Sequence, residues 1–391
     1  MKDILFVIEN LSYPFDRRVH REALTMKKAG YNVSVICPAG KDRDMEMFSI
    51  VDDIYVYRYP LHTNAQSKID YLKEYALSMI YTFVLSLKIL FFKNFDIIHI
   101  ANPPDIFFPI LMFYRIFGKK IIFDQHDLTP ESYLARFRNG KKDMFYKVQL
   151  LFEYLTYKSA NIVISTNRSY LKTARDRGKK KNVWIVRNGP DMRYFKFSEV
   201  KKELKEGFDF LVSYIGIMGV QDGVDYLINA IDVFVNVLKR KDTLFVLIGK
   251  GDDFEYIKSL AEKKNLMKYI RFTGRIPDEP AIDYLSTSDI CASPDPLNPL
   301  NDHSTMNKVM EYMATKSPIV SFELKEARFS AGNSAVYIKN NDFTQFAKSI
   351  SSLLDDPAKR RDMAAFGYDR VIRFLCWERQ EENLLKLYES L

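Results

Sequence analysis

The strongest constraint on this 391-residue chain is an alternation that runs, stops and starts again. Short apolar runs, "ILFVIE", "NVSVICP", "FDIIHI", "KKIIFDQH", "NIVIST" and "NVWIVRNG", are separated by longer segments such as the helix-like "DRRVHREALTMKKAG", in which Gly30 is a good stop. Apolar strands joined through helices form parallel sheets covered on both faces. The rhythm breaks at the charged stretch "PDMRYFKFSEVKKELKEG" (190–207) and resumes with "FDFLVSYIG", "TLFVLIGKG", "IRFTGR", "DICASP", "PIVSFE" and "AVYIK". The pattern predicts an α/β protein with two Rossmann-like, doubly wound parallel-sheet domains, over 1–190 and 200–365, facing a cleft. The closing stretch, "FGYDRVIRFLCWERQEENLLKLYESL" (366–391), reads as a long amphipathic helix packing back on the first domain.

Composition narrows the class. With 47% apolar and 14% aromatic residues, the chain can bury a large core. Cys37, Cys291 and Cys376 form no metal pattern and no even disulfide set, which favours a reducing compartment. "ILFVIE" is too short for the apolar region of a signal peptide, so a cytoplasmic protein is expected. The net charge of +8 is uneven: residues 1–195 hold 31 Lys+Arg against 20 Asp+Glu (+11), leaving 27 against 30 (−3). A basic half points to nucleic acid or a membrane surface, and general solubility accounts for it equally well. No helix-turn-helix or stacked-aromatic motif supports nucleic acid.

"YALSMIYTFVLSLKILFF" (75–92) is 18 residues long and carries only Lys88 as a charge, enough by length to span a bilayer. However, "FDIIHI" follows after two residues and must join the first sheet. A buried or interface-lying helix is therefore favoured over a span. The basic clusters "RIFGKK" (115–120) and "RFRNGKK" (136–142) suit anionic lipid heads, giving peripheral contact with the inner face of the membrane; solvated loops around a buried crossover helix are the plainer alternative.

Common chemical signatures are missing. Gly249–Lys250–Gly251 is too sparse for a dinucleotide fingerprint, and there is no Walker, zinc or G-x-S-x-G motif, so no metal is expected. What remains is polar residues at strand ends. His126 follows a strand in "FDQHDLTPES", beside Asp124, Asp127 and Glu131; it is a candidate functional residue or a structural one. In "YPFDRRVHRE", Asp16, Arg17 and Arg18 sit at the first strand–helix turn, placed for a phosphate or sugar, or as an N-cap with solvated arginines. In "NDHSTMNKVMEYMA" (301–314), Met306, Val309, Met310 and Met313 form a core stripe, and Ser304 or Thr305 is placed to cap the helix. Lys308 and Glu311 lie one turn apart off that stripe, as a surface ion pair or as two groups aimed at one ligand.

The segments "YPFDRRVHREALTMKKAGYNVSVICP", "ANPPD", "FDQHDLTPES", "VRNGPD", "GIMGVQDGVDYL", "FTGRIP" and "NDHSTMNKVMEYMATKSPIVSFELKEARFSAG" resemble, in the same order, family 4 glycosyltransferases of the GT-B fold, the subgroup that assembles surface polysaccharides and O-antigens. The resemblance implies an acceptor-side first domain and a donor-binding second domain. It also implies a retaining transfer from a nucleotide sugar, by analogy a UDP-sugar, to a lipid-linked or growing glycan, with no required metal or other cofactor. Glu311 matches the second Glu of the family's Glu-x7-Glu motif, which binds the donor ribose; His303 stands where the first Glu belongs. The family's Arg and Lys for the donor diphosphate fall at Ile217 and Asp222, so Lys308 is the natural replacement, beside the N–H groups of Ser304, Thr305 and Met306. Gly216 and Gly219 let the backbone approach the same group. Arg275 and Ile276 resemble the base-reading strand end, and His126 the histidine near the transferred sugar. Glu323, Glu326 and Arg328 fall near the donor sugar, and Asp16 and Arg17 are possible sugar or acceptor contacts. A nucleotide-sugar 2-epimerase of the same architecture and a non-catalytic partner of a transferase are the alternatives.

Overall fold

In the computed structural model, residues 2–40, 45–61, 68–136 and 142–391 are described. The chain divides into two compact units: Met1–Leu134, Asn139–Arg187 and Glu381–Leu391 form one, Ala135–Arg138 and Asn188–Gln380 the other.

The first unit has strands β1 (Asp3–Val7), β2 (Asn32–Pro38), β3 (Phe48–Val51), β4 (Ile54–Tyr59), β5 (Ile97–Ala101), β6 (Lys120–Gln125), β7 (Ile162–Ser165) and β8 (Val183–Ile185). They lie in the order β3-β4-β2-β1-β5-β6-β7-β8, all parallel except the antiparallel pair β3 and β4. The connecting helices are α1 (Arg17–Lys28), α2 (Lys68–Phe92), α3 (Phe108–Ile116), α4 (Thr129–Arg136), α5 (Met144–Ser159) and α6 (Arg168–Asp176). β5 and β7 are buried at every residue because helices cover both faces, which is why they read as unbroken apolar runs. Short polar side chains start the helices: Asp16 caps α1, Asp143 caps α5 and Asn167 caps α6. Of the two basic clusters, 137–141 lie outside the described residues; in the other, Arg115 and Lys120 are exposed.

The second unit has strands β9 (Phe210–Ile215), β10 (Thr243–Ile248), β11 (Ile270–Gly274), β12 (Ile290–Ser293), β13 (Ile319–Phe322) and β14 (Ala335–Ile338). They coincide with the six apolar runs read after residue 207. Their order, β11-β10-β9-β12-β13-β14, is that of a dinucleotide-type doubly wound sheet, with the direction of winding reversing between β9 and β12. Helices α7 (Val224–Asp232), α8 (Phe254–Lys263), α9 (Asp278–Thr287), α10 (Asn307–Ala314), α11 (Lys325–Ala331), α12 (Phe343–Leu354) and α13 (Pro357–Arg370) flank it.

The last 26 residues are not one helix. α13 passes into a wide turn over Val371–Leu375, Cys376 is extended, and α14 (Trp377–Glu389) begins afresh. Trp377 is fully buried and its backbone N–H donates to the carbonyl of Pro190 at 2.9 Å, so the break is anchored to the "VRNGPD" segment. Gly189 is required there, since a Cβ would lie 1.6 Å from the carbonyl oxygen of Leu375. Only Glu381–Leu391 belongs with the first unit, through Leu384, Leu387 and Tyr388, all fully buried.

Candidate functional site

In a doubly wound sheet, ligands collect outside the carboxyl ends of the strands where the winding reverses. In the second unit that point lies between β9 and β12, and the sequence places there a glycine-rich loop (216–223), the turn Ser293–Asp295 and the start of α10. The loop packs tightly on its neighbours. Gly249, after β10, has φ +129, and a Cβ on it would lie 1.9 Å from the carbonyl oxygen of Gly216. Its N–H donates to Gly274 at 2.9 Å, so the ends of β9, β10 and β11 are drawn together. Gly249–Lys250–Gly251 is thus a packing device.

Lys308 points into this cluster. It is buried, with Nζ donating to Asp295 Oδ1 at 2.7 Å, 3.9 Å from Asp222 Oδ1 and 4.8 Å above the ring of Tyr214. Burial works against the ammonium, but the charge of Asp295, then that of Asp222, outweighs it, and its pKa is raised. Asp295 is itself braced by the Ser293 hydroxyl at 2.7 Å. Asp222 accepts the N–H of Gly219 at 3.1 Å; burial pushes its carboxyl up to about 6, against the pull of Lys308. A Cβ on Gly216 would meet Tyr214 Oη at 2.7 Å and Lys308 Cε at 3.2 Å, so the bare glycine lets loop and lysine share the space.

Several expectations for this region need correcting. Lys308 pairs with buried Asp295, so a surface pair with Glu311 is not what the lysine forms. Neither Ser304 nor Thr305 caps the helix. α10 begins at Asn307 with Met306 at the cap position, because the Ser304 hydroxyl and N–H turn back to Leu300 and Asn301. Ser304, Thr305 and Met306 therefore precede the first turn that holds Lys308. Asn298 and Asn301 organise that turn: Asn298 accepts the N–H groups of Leu300 and Asn301, and Asn301 donates to Gln221 and Pro296. His303 approaches the Pro299 carbonyl at 2.9 Å, and Asp302 accepts the N–H of Lys325 at 2.9 Å, tying the turn to α11. Glu311 is half-buried one turn past Lys308. Arg275 is exposed after β11, while Ile276 packs on the core beside Ala281. Glu323 and Arg328 pair with each other at 2.6 Å, and Glu326 is buried.

In the first unit the strand ends form a charged cluster. Arg18 is buried rather than solvated. It grips both oxygens of Asp124 at 2.8 Å, donates to the Val186 carbonyl at 2.9 Å and meets Glu22 at 3.0 Å. His126 Nε2 lies 2.5 Å from Asp124 Oδ2. Burial disfavours the imidazolium, yet the charge and hydrogen bond of Asp124 prevail, so its pKa is raised. Asp124 is held well below the usual carboxylate range: burial opposes this, and Arg18 and then His126 overcome it. Beneath them His99, fully buried, joins Tyr388 Oη at 2.6 Å and Glu22 at 3.3 Å. Glu22, His99 and Asp124 have a metal-like spacing, but Arg18 already contacts both carboxylates.

Asp16 takes the capping alternative, accepting the N–H groups of Arg18 and Val19 at 3.1 and 3.0 Å. Arg17 is exposed. Glu131 pairs with Arg177 at 2.8 Å. The "ANPPD" segment has a role that its residue types did not reveal: Asn102 accepts the N–H groups of His126 and Asp127 at 2.7 and 3.2 Å and donates to the Asp127 carbonyl at 2.9 Å. Its side chain fixes the loop that presents His126.

Known proteins match both halves. Residues 209–356 match the family described as Glycosyl transferases group 1, and residues 16–194 match Glycosyltransferase Family 4. The two halves thus resemble glycosyltransferase domains, of family 4 type over 16–194 and of group 1 type over 209–356. An uncharacterized glycosyltransferase of Methanocaldococcus jannaschii is 25% identical over 250 residues, 63% of this chain and 64% of that protein. A D-inositol 3-phosphate glycosyltransferase of Corynebacterium jeikeium is 22% identical over 188 residues, 46% of this chain and 43% of that protein. The aligned stretches thus span less than two thirds of the length of these curated relatives. Among solved structures, sucrose-phosphate synthase from Thermosynechococcus elongatus superposes with a TM-score of 0.83 at 17% identity, covering 100% of this chain and 99% of that one. HepE of Anabaena, in complex with UDP-glucose, does so at 0.74 and 14% identity, covering 100% of each. The fold is GT-B.

Proposed function

We propose that the protein is a retaining glycosyltransferase. It takes a sugar from a nucleotide sugar, a UDP-sugar, and transfers it to a lipid-linked or growing glycan in surface-polysaccharide synthesis, at the inner face of the cell membrane. The second domain (200–365) takes the donor and the first (1–190) the acceptor. The observation that carries this reading is Lys308: a buried ammonium at the start of α10, beneath the Gly216–Gly219 loop at the switch point of β9 and β12, with Glu311 one turn on. A leaving nucleoside diphosphate gains negative charge as the glycosidic bond breaks, and a fixed cation beside a helix N-terminus stabilises that charge. Glu311 accepts the ribose hydroxyls. His126 donates to the transferred sugar, and the acceptor proton passes to the leaving phosphate on the same face. HepE, crystallised with UDP and with UDP-glucose, supports the choice of base. WaaG, a glycosyltransferase involved in lipopolysaccharide biosynthesis, covers 99% of its own chain at a TM-score of 0.72 and 14% identity, and supports the acceptor class.

A thermal-shift panel of nucleoside diphosphates and nucleotide sugars tests the donor. A specific ligand at 100 times its Kd stabilises by about 2.7 kcal/mol. UDP or a UDP-sugar is expected to do so. Stabilisation by none of the panel, or epimerisation of the donor without acceptor, rejects the reading.

A further inference from the structure

α2 is apolar on two sides: Met79, Phe83, Leu87 and Ile89 pack on the core of the first unit, and a second apolar stripe faces out. The helix leaves β4, returns to β5 in the same sheet and lies along that sheet as a crossover, so it cannot pass through a bilayer. Its hydroxyl side chains face inward: Ser78, Thr82 and Ser86 are buried, and Ser78 donates to Glu9 at 2.9 Å. Leu77, Ile80, Val84 and Phe91 fall on the opposite stripe at helical spacing and are exposed, Phe91 to 81%. α3 continues this surface. It packs on α2 through Phe83 and Phe113, with ring centroids 5.3 Å apart, and through Tyr114 Oη on Ser86 at 2.8 Å, and it exposes Met112 and Ile116, the latter to 82%. A soluble helix puts its apolar stripe inward; adjoining outward apolar stripes mark an interaction surface.

Charge identifies the occupant. Lys88 lies in the exposed stripe of α2, and Lys93, Arg115 and Lys120 are exposed in the same stretch of chain. The acidic residues between Leu77 and Ile122 do not oppose them: Asp96 accepts the N–H of Asp3, and Asp105 is buried. A second copy of the chain docked on the same patch would bring like charges together. An anionic leaflet meets both needs, burying the apolar side chains at the level of its headgroups and pairing with the lysines. We infer that the α2–α3 face is a peripheral docking surface for an anionic lipid bilayer, with α2 lying in the plane of the interface. The inference deepens the membrane-linked acceptor reading and rests on it only for the place of action.

Vesicle flotation without any sugar donor tests it, using the full chain, phosphatidylcholine vesicles and vesicles containing phosphatidylglycerol. The protein is expected to float with the anionic vesicles. The doubly substituted Phe91→Ser/Ile116→Ser chain should partition at least tenfold less, and Lys88→Gln about fivefold less on anionic vesicles only. All three side chains are exposed, so the variants should keep their melting temperatures and their shift with UDP. That shift reports on the donor reading separately. No flotation of the unmodified protein overturns the inference, as does equal flotation of the variants. A dimer that the double substitution dissociates replaces the bilayer with a second copy.

Discussion

The Lys308–Asp295 pair allows the structural and functional roles of one lysine to be separated. Lys308→Met keeps the bulk of the side chain and removes the charge, leaving a carboxylate beside Ser293 that is only 1% exposed. Removing one partner of a buried ion pair costs about 3–5 kcal/mol. In a unit of this size each kcal/mol shifts Tm by about 2–4 °C, so the second unit should melt roughly 6–20 °C lower. Asp295→Leu should cost less, because Asp222 is already 3.9 Å from the ammonium and remains to pair with it. The double substitution should recover most of the loss, since an apolar pair of similar volume replaces a buried ion pair at little or no cost. Unfolding of all four proteins in denaturant closes the cycle. The diphosphate role is then read in the double variant: it is folded, yet UDP should no longer stabilise it. A loss below about 1 kcal/mol for Lys308→Met, or purely additive effects, would refute the buried-pair reasoning. A double variant that still binds UDP as before would refute the role of Lys308 toward phosphate.

Other perturbations follow from the same geometry. Asp222 has a folded-state pKa of about 6, above its ordinary 3.8, so the folded protein holds the extra proton and loses stability as pH rises from about 4 to 6. Asp222→Asn can still accept the N–H of Gly219; it should stabilise the protein at pH 7.5 by about 1–3 kcal/mol and leave it nearly unchanged at pH 4, as melting curves at the two values would show. Gly249→Ala would drive a methyl group into the Gly216 carbonyl; a loss of more than about 2 kcal/mol and of UDP binding is expected, measured by denaturant unfolding and thermal shift. Asn102→Ala removes the acceptor of two backbone N–H groups at His126 and Asp127 and should cost about 1–3 kcal/mol, with faster amide hydrogen exchange at those two residues.

Much of the fold was legible because its cause is local. Apolar runs of four to six residues between helical segments located all six strands of the second sheet, and parallel strands buried on both faces have to be written that way. The same local signals marked Asp16 as a cap. They were weaker where a break depends on distant partners: the closing helix divides because Trp377 is held to Pro190, far away in sequence. Within the second unit the nearness of Lys308 to Gly216 was legible from residue types, but the partners of Lys308 were not.

The sequence by itself determined the two α/β units, the positions of their strands, and the presence of the helix that carries Lys308 and Glu311, since periodicity and breakers act over a few residues. Tertiary structure decided which charges meet. Arg18 reaches Asp124 across 106 residues, Lys308 chooses Asp295 over Glu311, and Asn102 secures the loop of His126. It also decided that α2 turns Ser78, Ser86 and Ile89 inward and Ile80 and Phe91 outward, with Ser78 bonded to Glu9 and Ser86 to Tyr114. Buried charges must find partners wherever the sheet brings them, and strand order, which local sequence does not encode, sets who is within reach.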